Sequence, residues 1–243
     1  MIKNIIKYLD QLLNRLLDHI SSKLDISEER RIEMRDYDKK RARMIQMIAK
    51  TPKLSKFKLF WISQFMTLFG CGKSKIAPGT VTSFVTVILW FMTTLFFIRN
   101  NSSPLTEGIF WTSIIVVCSI YAVIFTPIYT RDFDNYDHQS IVIDEVIGQL
   151  ITLCLSYTVA RSYYHEESWI LPQIVIVSHI FLSFLLFRTF DIAKPSVIGW
   201  IDRNLKSPFG VVLDDIVAGL ISAILIVVLF VFYESSVMNL HDF

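Results

Sequence analysis

Two adjacent acidic pairs, Asp144-Glu145 and Asp214-Asp215, stand at the edges of long apolar runs. Carboxylates packed that closely repel unless something positive lies between them. A divalent cation does this well, and carboxylate oxygens are hard ligands suited to Mg²⁺. Helix capping and the helix dipole account for Asp144 or Asp215 taken singly. Two such pairs in one chain point to a metal centre, with Asp202 as a further carboxylate. Basic residues accompany them. Arg188, Asp191 and Lys194 share one short run, and Asp202-Arg203-Asn204 follows. The spacing puts Asp191 and Lys194 on one face of a helical turn. Carboxylates that hold a metal and a water, beside Lys or Arg that bind phosphate oxygens, are what hydrolysis of a phosphate ester needs.

A different kind of element spans 70–83, Gly-Cys-Gly-Lys-Ser-Lys-Ile-Ala-Pro-Gly-Thr-Val-Thr-Ser. Glycine lets a backbone approach a ligand closely. Pro78-Gly79 makes a turn and a helix follows. The N–H groups of that helix start, the Thr80 and Ser83 hydroxyls and Lys73 or Lys75 together suit an anion. The spacing is not that of a P-loop.

Four blocks resemble the phosphatidylglycerophosphatase A family. They are Ile76-Ala-Pro-Gly-Thr80, Ile141-Val-Ile-Asp-Glu-Val-Ile-Gly148, Phe187-Arg-Thr-Phe-Asp-Ile-Ala-Lys-Pro195 with Asp202-Arg203, and Gly210-Val-Val-Leu-Asp-Asp-Ile-Val-Ala-Gly219. The resemblance covers roughly residues 61–230. It implies an all-α, Mg²⁺-dependent lipid phosphatase of the bacterial inner membrane that converts phosphatidylglycerophosphate to phosphatidylglycerol. With it, Asp144, Glu145, Asp202, Asp214 and Asp215 are the expected metal ligands. Asp144, Glu145, Asp191, Lys194 and Asp215 are the expected catalytic residues. Lys75, Pro78, Gly79, Thr80, Ser83, Arg188 and Arg203 are expected to bind substrate. The chain departs from the family at Thr82, at Ser196 and at Ser207-Pro208-Phe209, and no charged residue is lost by these changes.

These loops need a scaffold, and the composition suggests which. Of 243 residues, 53% are hydrophobic and 19% charged, with a mean hydropathy of +0.47. The net charge of +2 leaves no basic excess for nucleic acid. Charge-free stretches fall at 84–98, 109–130, 146–160, 168–187 and 216–233. The second, fourth and fifth reach the ~20 residues that cross a bilayer. The first and third are shorter; they extend into their flanks or lie buried in the bundle. The expected fold is an all-α integral membrane bundle of about five apolar helices. Numbered in order, these stretches put 1–83, 131–145 and 188–215 on one side, with 22 of the 24 Lys and Arg. The excess of positive charge makes that side cytoplasmic.

The domain reading is a charged N-terminal extension over 1–60, a phosphatase domain over 61–233 and a short tail over 234–243. In the extension, apolar residues from Ile2 to Ile20 recur at helical spacing. This amphipathic helix suits a membrane surface. It equally suits docking on the chain's own body or on a partner, including a second copy.

Other chemistries fit less well. Asp132-Phe-Asp134 resembles an aspartyl-phosphate nucleophile but lacks the buried strand before it. His138 and His179 lack the Arg partners of a histidine-nucleophile phosphatase. Three Cys do not make a disulfide scaffold. Hydrolysis of another lipid phosphomonoester, such as phosphatidic acid, is the nearest alternative. A non-enzymatic transporter or scaffold is the next, although no inverted repeat is apparent.

Overall fold

The computed structural model describes residues 54–130, 138–162, 171–205 and 207–241. The amphipathic stripe of residues 1–20, the carboxylates Asp132, Asp134 and Asp137, and most of the 1–60 extension lie outside the described residues. Among the described residues there are seven α-helices, one 3-10 turn at Cys71–Lys73 and no strand. The α-helices are α1 Lys56–Met66, α2 Pro78–Arg99, α3 Pro104–Tyr129, α4 Ile143–Ser162, α5 Leu171–Ala193, α6 Ser196–Asn204 and α7 Pro208–His241.

Local sequence explains where the helices start. Pro78, Pro104 and Pro208 open α2, α3 and α7, at the position whose N–H would be unpaired in any case. Ser55 and Ser103 cap α1 and α3 by accepting backbone N–H groups. The apolar runs understate two helices. Helix α2 extends upstream of residue 84 to Pro78. Helix α7 begins at Pro208, so Asp214 and Asp215 sit in its second turn and not ahead of it. A charge ends an apolar run, but it does not end a helix. Nor does α7 stop at Tyr233; residues 234–241 hold no Gly or Pro to break it.

Among the described residues, four segments are long and apolar enough to cross a membrane: Pro78–Arg99, Pro104–Tyr129, Ile176–Ala193 and Pro208–Phe232. Leu89, Phe96, Val117, Ile120, Phe181 and Ile224 are all exposed on them. So broad an apolar exterior suits lipid, not water. Inside the bundle, Thr86, Thr126 and Ser222 donate to carbonyls one turn back, which satisfies hydroxyls where no water is present.

Helix α4 holds the centre and packs against α2, α3, α5 and α7. Ile147, Gln149, Thr152, Leu153 and Ser156 on it are fully buried. The stretch 146–160 can be short and partly polar because its neighbours shield it. Ser156 Oγ donates to Thr152 O at 2.6 Å and lies 2.8 Å from His179 Nε2. His179 is thus a bundle residue.

Helices α4 and α7 touch backbone to backbone at Gly148 and Gly219. A Cβ on Gly219 would stand 2.5 Å from the Gly148 carbonyl oxygen, and one on Gly148 would stand 2.7 Å from the Asp215 carbonyl oxygen. Thr152 Oγ1 lies across the seam, 3.0 Å from Gly148 O and 3.2 Å from Gly219 O. Gly219→Ala should therefore destabilise the bundle by about 1–3 kcal/mol through overpacking. Gly108 has nothing within 4 Å of its added Cβ, so Gly108→Ala in α3 should be neutral or stabilising by up to ~1 kcal/mol. Thermal unfolding of both variants in one detergent checks the pair. Equal melting temperatures would mean that the seam can relax.

Candidate active site

The starts of α2, α4 and α7 and the end of α5 meet at one end of the bundle, around a cavity of about 670 Å³. Six carboxylates line it: Asp144, Glu145, Asp191, Asp202, Asp214 and Asp215. Three cations, Lys75, Arg188 and Lys194, line it as well. The segments 73–83, 138–145 and 188–215 thus share one site.

The carboxylates divide into two groups. One oxygen each from Asp144, Glu145 and Asp215 gathers within 4.8 Å. Asp144 and Asp215 are buried, and the Glu145 Oε2 atom is buried with no hydrogen-bond partner. Asp144 also accepts the Glu145 backbone N–H at 3.1 Å. Burial, then the neighbouring Glu145, push the Asp144 carboxyl well above the usual range. Burial raises Glu145 to about 8, with the charges of Asp215 and Asp191 adding to it and Arg188 opposing. A cation would hold these groups ionised. The hard oxygens, their spacing and the orphaned Glu145 oxygen fit a divalent metal.

The second group surrounds Lys194. Its ammonium donates to Asp202 Oδ1 and to Asp214 Oδ2, both at 2.8 Å. Asp202 and Asp214, expected beside the metal, are occupied by this lysine instead, although Asp214 Oδ1 is left buried without a hydrogen-bond partner. Burial lowers the Lys194 pKa, but the bonds and charges of Asp202 and Asp214 more than offset this, so it lies above its ordinary value. Lys194 is one residue beyond α5, with φ +41°, and its N–H donates to Phe190 O at 2.9 Å. That left-handed closing position is usually glycine. Lys194 therefore does not share a helical face with Asp191. Asp191 pairs with Arg188, one turn back on α5.

Gly79 explains how α2 reaches the cluster. A Cβ there would collide with Glu145 Oε1 and stand 3.0 Å from the Arg188 guanidinium. Ala77, at φ +43°, swings the chain into Pro78 and the helix. Pro78, Gly79 and Lys75 line the cavity, whereas Thr80, Ser83 and Arg203 do not. Ser83 is buried within the bundle, and the exposed Arg203 lies over Gly199. Gln139 and Gly210 also line the cavity and were not expected. Nothing in the sequence marks Gln139. Gly210 lies in a matching block, and its lack of a Cβ lets α7 start against the Leu205 carbonyl.

The model of the phosphatidylglycerophosphatase A family matches residues 64–230, well over half of the chain. The chain belongs to the phosphatidylglycerophosphatase A family. That membership places it among phosphatases. Phosphatidylglycerophosphatase A of Escherichia coli K12 is 34% identical over 155 residues, covering 64% of this chain and 75% of that protein. A Bacteroides thetaiotaomicron protein, provisionally named a phosphatidylinositol-3-phosphatase, is 32% identical over 162 residues, 67% of this chain and 89% of its own. Phosphatidylglycerophosphatase A of Haemophilus influenzae Rd is 34% identical over 97 residues, 40% of this chain and 50% of its own. No solved structure is significantly similar to the chain.

The grouping makes a metal-binding test direct. Asp215→Asn should weaken Mn²⁺ binding by at least about tenfold, since the loss of even an outer partner of a metal ligand costs 10–100-fold. Arg203→Ala should leave binding unchanged. The free Mn²⁺ signal in electron paramagnetic resonance reads both. Unchanged binding in Asp215→Asn would remove that residue from the metal set.

Proposed function

We propose that the chain is a Mg²⁺-dependent lipid phosphatase. It hydrolyses the terminal phosphomonoester of phosphatidylglycerophosphate to phosphatidylglycerol and phosphate. Its place is the bacterial inner membrane, with the site facing the cytoplasm. One observation carries the reading: the Asp144, Glu145 and Asp215 cluster shares a cavity with Lys194 and Arg188 at one end of a bundle with four membrane-length helices. The family match and the names of its relatives support the substrate class.

Asp144, Glu145 and Asp215 would hold Mg²⁺, which supplies a Lewis acid for the phosphoryl oxygens. The protein does the rest. Asp191 holds the Arg188 guanidinium, a fork that matches phosphate oxygens. Asp202 and Asp214 hold the Lys194 ammonium charged at the cavity wall. The α2 start offers backbone N–H groups and the positive end of a helix dipole. Water adds to phosphorus and gives its proton to the acidic cluster. The P–O bond to the glycerol breaks, and that oxygen takes the proton back from the cluster and leaves as the alcohol. A phosphomonoester carries about −1.5 to −2 charge near neutral pH. The product phosphodiester carries less charge, so it binds more weakly and leaves.

The Bacteroides relative favours a second reading with the same chemistry and a different head group, a phosphorylated inositol lipid. Phosphate release from phosphatidylglycerophosphate, phosphatidylinositol 3-phosphate, phosphatidic acid and glycerol phosphate, in one detergent, separates these readings. The lipid glycerophosphate should be fastest, and EDTA should abolish release. Equal rates for the lipid and soluble glycerol esters would leave a general phosphomonoesterase. Lys194→Gly is a sharper probe than Lys194→Ala, because glycine is at ease at that φ. It relieves the backbone strain but takes the ammonium away from Asp202 and Asp214, so the melting temperature should fall while the chain stays folded. The kcat should drop by about 10²-fold or more, as loss of one charge-stabilising donor does. Near-normal turnover would make Lys194 purely structural.

A further inference from the structure

Helix α1 lies almost wholly ahead of the family match, which begins at residue 64. Ile62 and Met66 bury one of its faces against Ala122 of α3 and Ile143 and Ile147 of α4. The remaining surface is largely exposed and rich in aromatic rings, with Phe65 also 5.7 Å from the Tyr121 ring of α3. Phe57, Phe60, Trp61 and Phe65 are exposed on α1, and Phe69 is exposed just beyond it. Their rings form a continuous ladder, with centroids 6.3 Å apart for Phe57–Trp61, 6.4 Å for Trp61–Phe65 and 5.5 Å for Phe65–Phe69.

The setting of this ladder is strongly basic. Lys56 and Lys58 in the first turn of α1 are exposed, as are Lys73 and Lys75 after it. Residues 39–58 hold eight Lys and Arg, and no Asp or Glu occurs between Asp38 and Glu107. The helix also lies at the end of the bundle that carries the cavity. Met66 O accepts the N–H of Val142, next to the start of α4, at 3.0 Å, and Gly72 lies against the Ser140 carbonyl.

An 11-residue helix is about 16 Å long, too short to cross a bilayer. Exposed aromatic rings bordered by lysines fit the boundary between head groups and acyl chains. A second copy of the chain suits the surface less, because a two-fold contact would set one lysine cluster against another. A membrane with negative head groups complements it.

We propose that α1 is an interfacial anchor that binds an anionic lipid surface beside the mouth of the cavity. The aromatic ladder inserts at the level of the head groups, and Lys56, Lys58 and Lys73 contact their negative charges. This inference stands apart from the phosphatase reading, since it uses no residue of the cavity wall except the neighbouring Lys75. Where the phosphatase reading holds as well, the anchor concentrates an anionic substrate at the site.

The test uses the full chain in nanodiscs of phosphatidylcholine, with or without about one-third phosphatidylserine. Cys71, Cys118 and Cys154 are replaced by alanine, and a spin label is placed at Phe60→Cys. In anionic discs the label should be reached by oxygen and shielded from a water-soluble nickel chelate. In neutral discs the chelate should reach it several-fold more readily. Lys56→Gln with Lys58→Gln should remove most of that difference, because each lysine near an anionic surface contributes about fivefold in affinity. Hydrogen exchange of the α1 amides in the unmodified chain gives an independent reading, with slower exchange expected in anionic discs at low salt. Equal chelate access in both discs together with equal exchange overturns the proposal. Spin–spin broadening that shows two labels in contact also overturns it, in favour of a second copy.

Discussion

The structure depends on one close contact, the crossing of α4 and α7 at Gly148 and Gly219. Each acidic pair lies one turn closer to the bundle end than the glycine of its own helix. Without a Cβ at either position, the two helices approach closely enough for Asp215 to join Asp144 and Glu145 within a few ångströms. Interiors pack too tightly for this distance to be adjusted freely. The charge cluster is thus a result of apolar packing a turn deeper. It does not hold itself together; its own electrostatics push it apart.

That repulsion is handled in two ways. Arg188 and Lys194 take three of the six carboxylates, Asp191, Asp202 and Asp214. The other three are left to a metal. The division needs Lys194 to leave the end of α5 in a left-handed conformation, a strained choice for a non-glycine residue and of the kind found at functional sites. The short helix α6 then returns Asp202 to the lysine. Asp214 has one oxygen on Lys194 and the other buried without a hydrogen-bond partner.

Much of this was legible in the residues. The adjacent acidic pairs marked carboxylates that meet in one cavity, and the alternation of apolar runs placed the motif loops at one end. The partition of the carboxylates was not legible. Asp191 and Lys194 have helical spacing, and only the backbone turn at Lys194 breaks it; no pattern of side chains announces such a turn. Thr80, Ser83 and Arg203 have suitable chemistry in or near the matching blocks, but they do not line the cavity. The glycine seam had a signal, since in both helices a glycine follows an aspartate by four residues. Its meaning is a distance between helices remote in sequence, which periodicity within one helix does not carry. The boundary of α7 was missed because buried carboxylates interrupt hydropathy without interrupting backbone hydrogen bonding.

Helix α4, 20 residues long, lies at the centre of the bundle and carries more buried polar groups than an isolated membrane helix would. Its Gln149, Thr152 and Ser156 are tolerated only because neighbours enclose them. During synthesis α4 emerges long before α7, the helix that closes its glycine face; Thr152 and Gly219 are 67 residues apart. A segment with buried polar groups has little tendency to partition into lipid alone. Its stable insertion must await the last helix, and contacts so distant along the chain form late. A chain truncated before α7 would lack both the glycine that closes against Gly148 and the Asp215 carboxylate that completes the cluster.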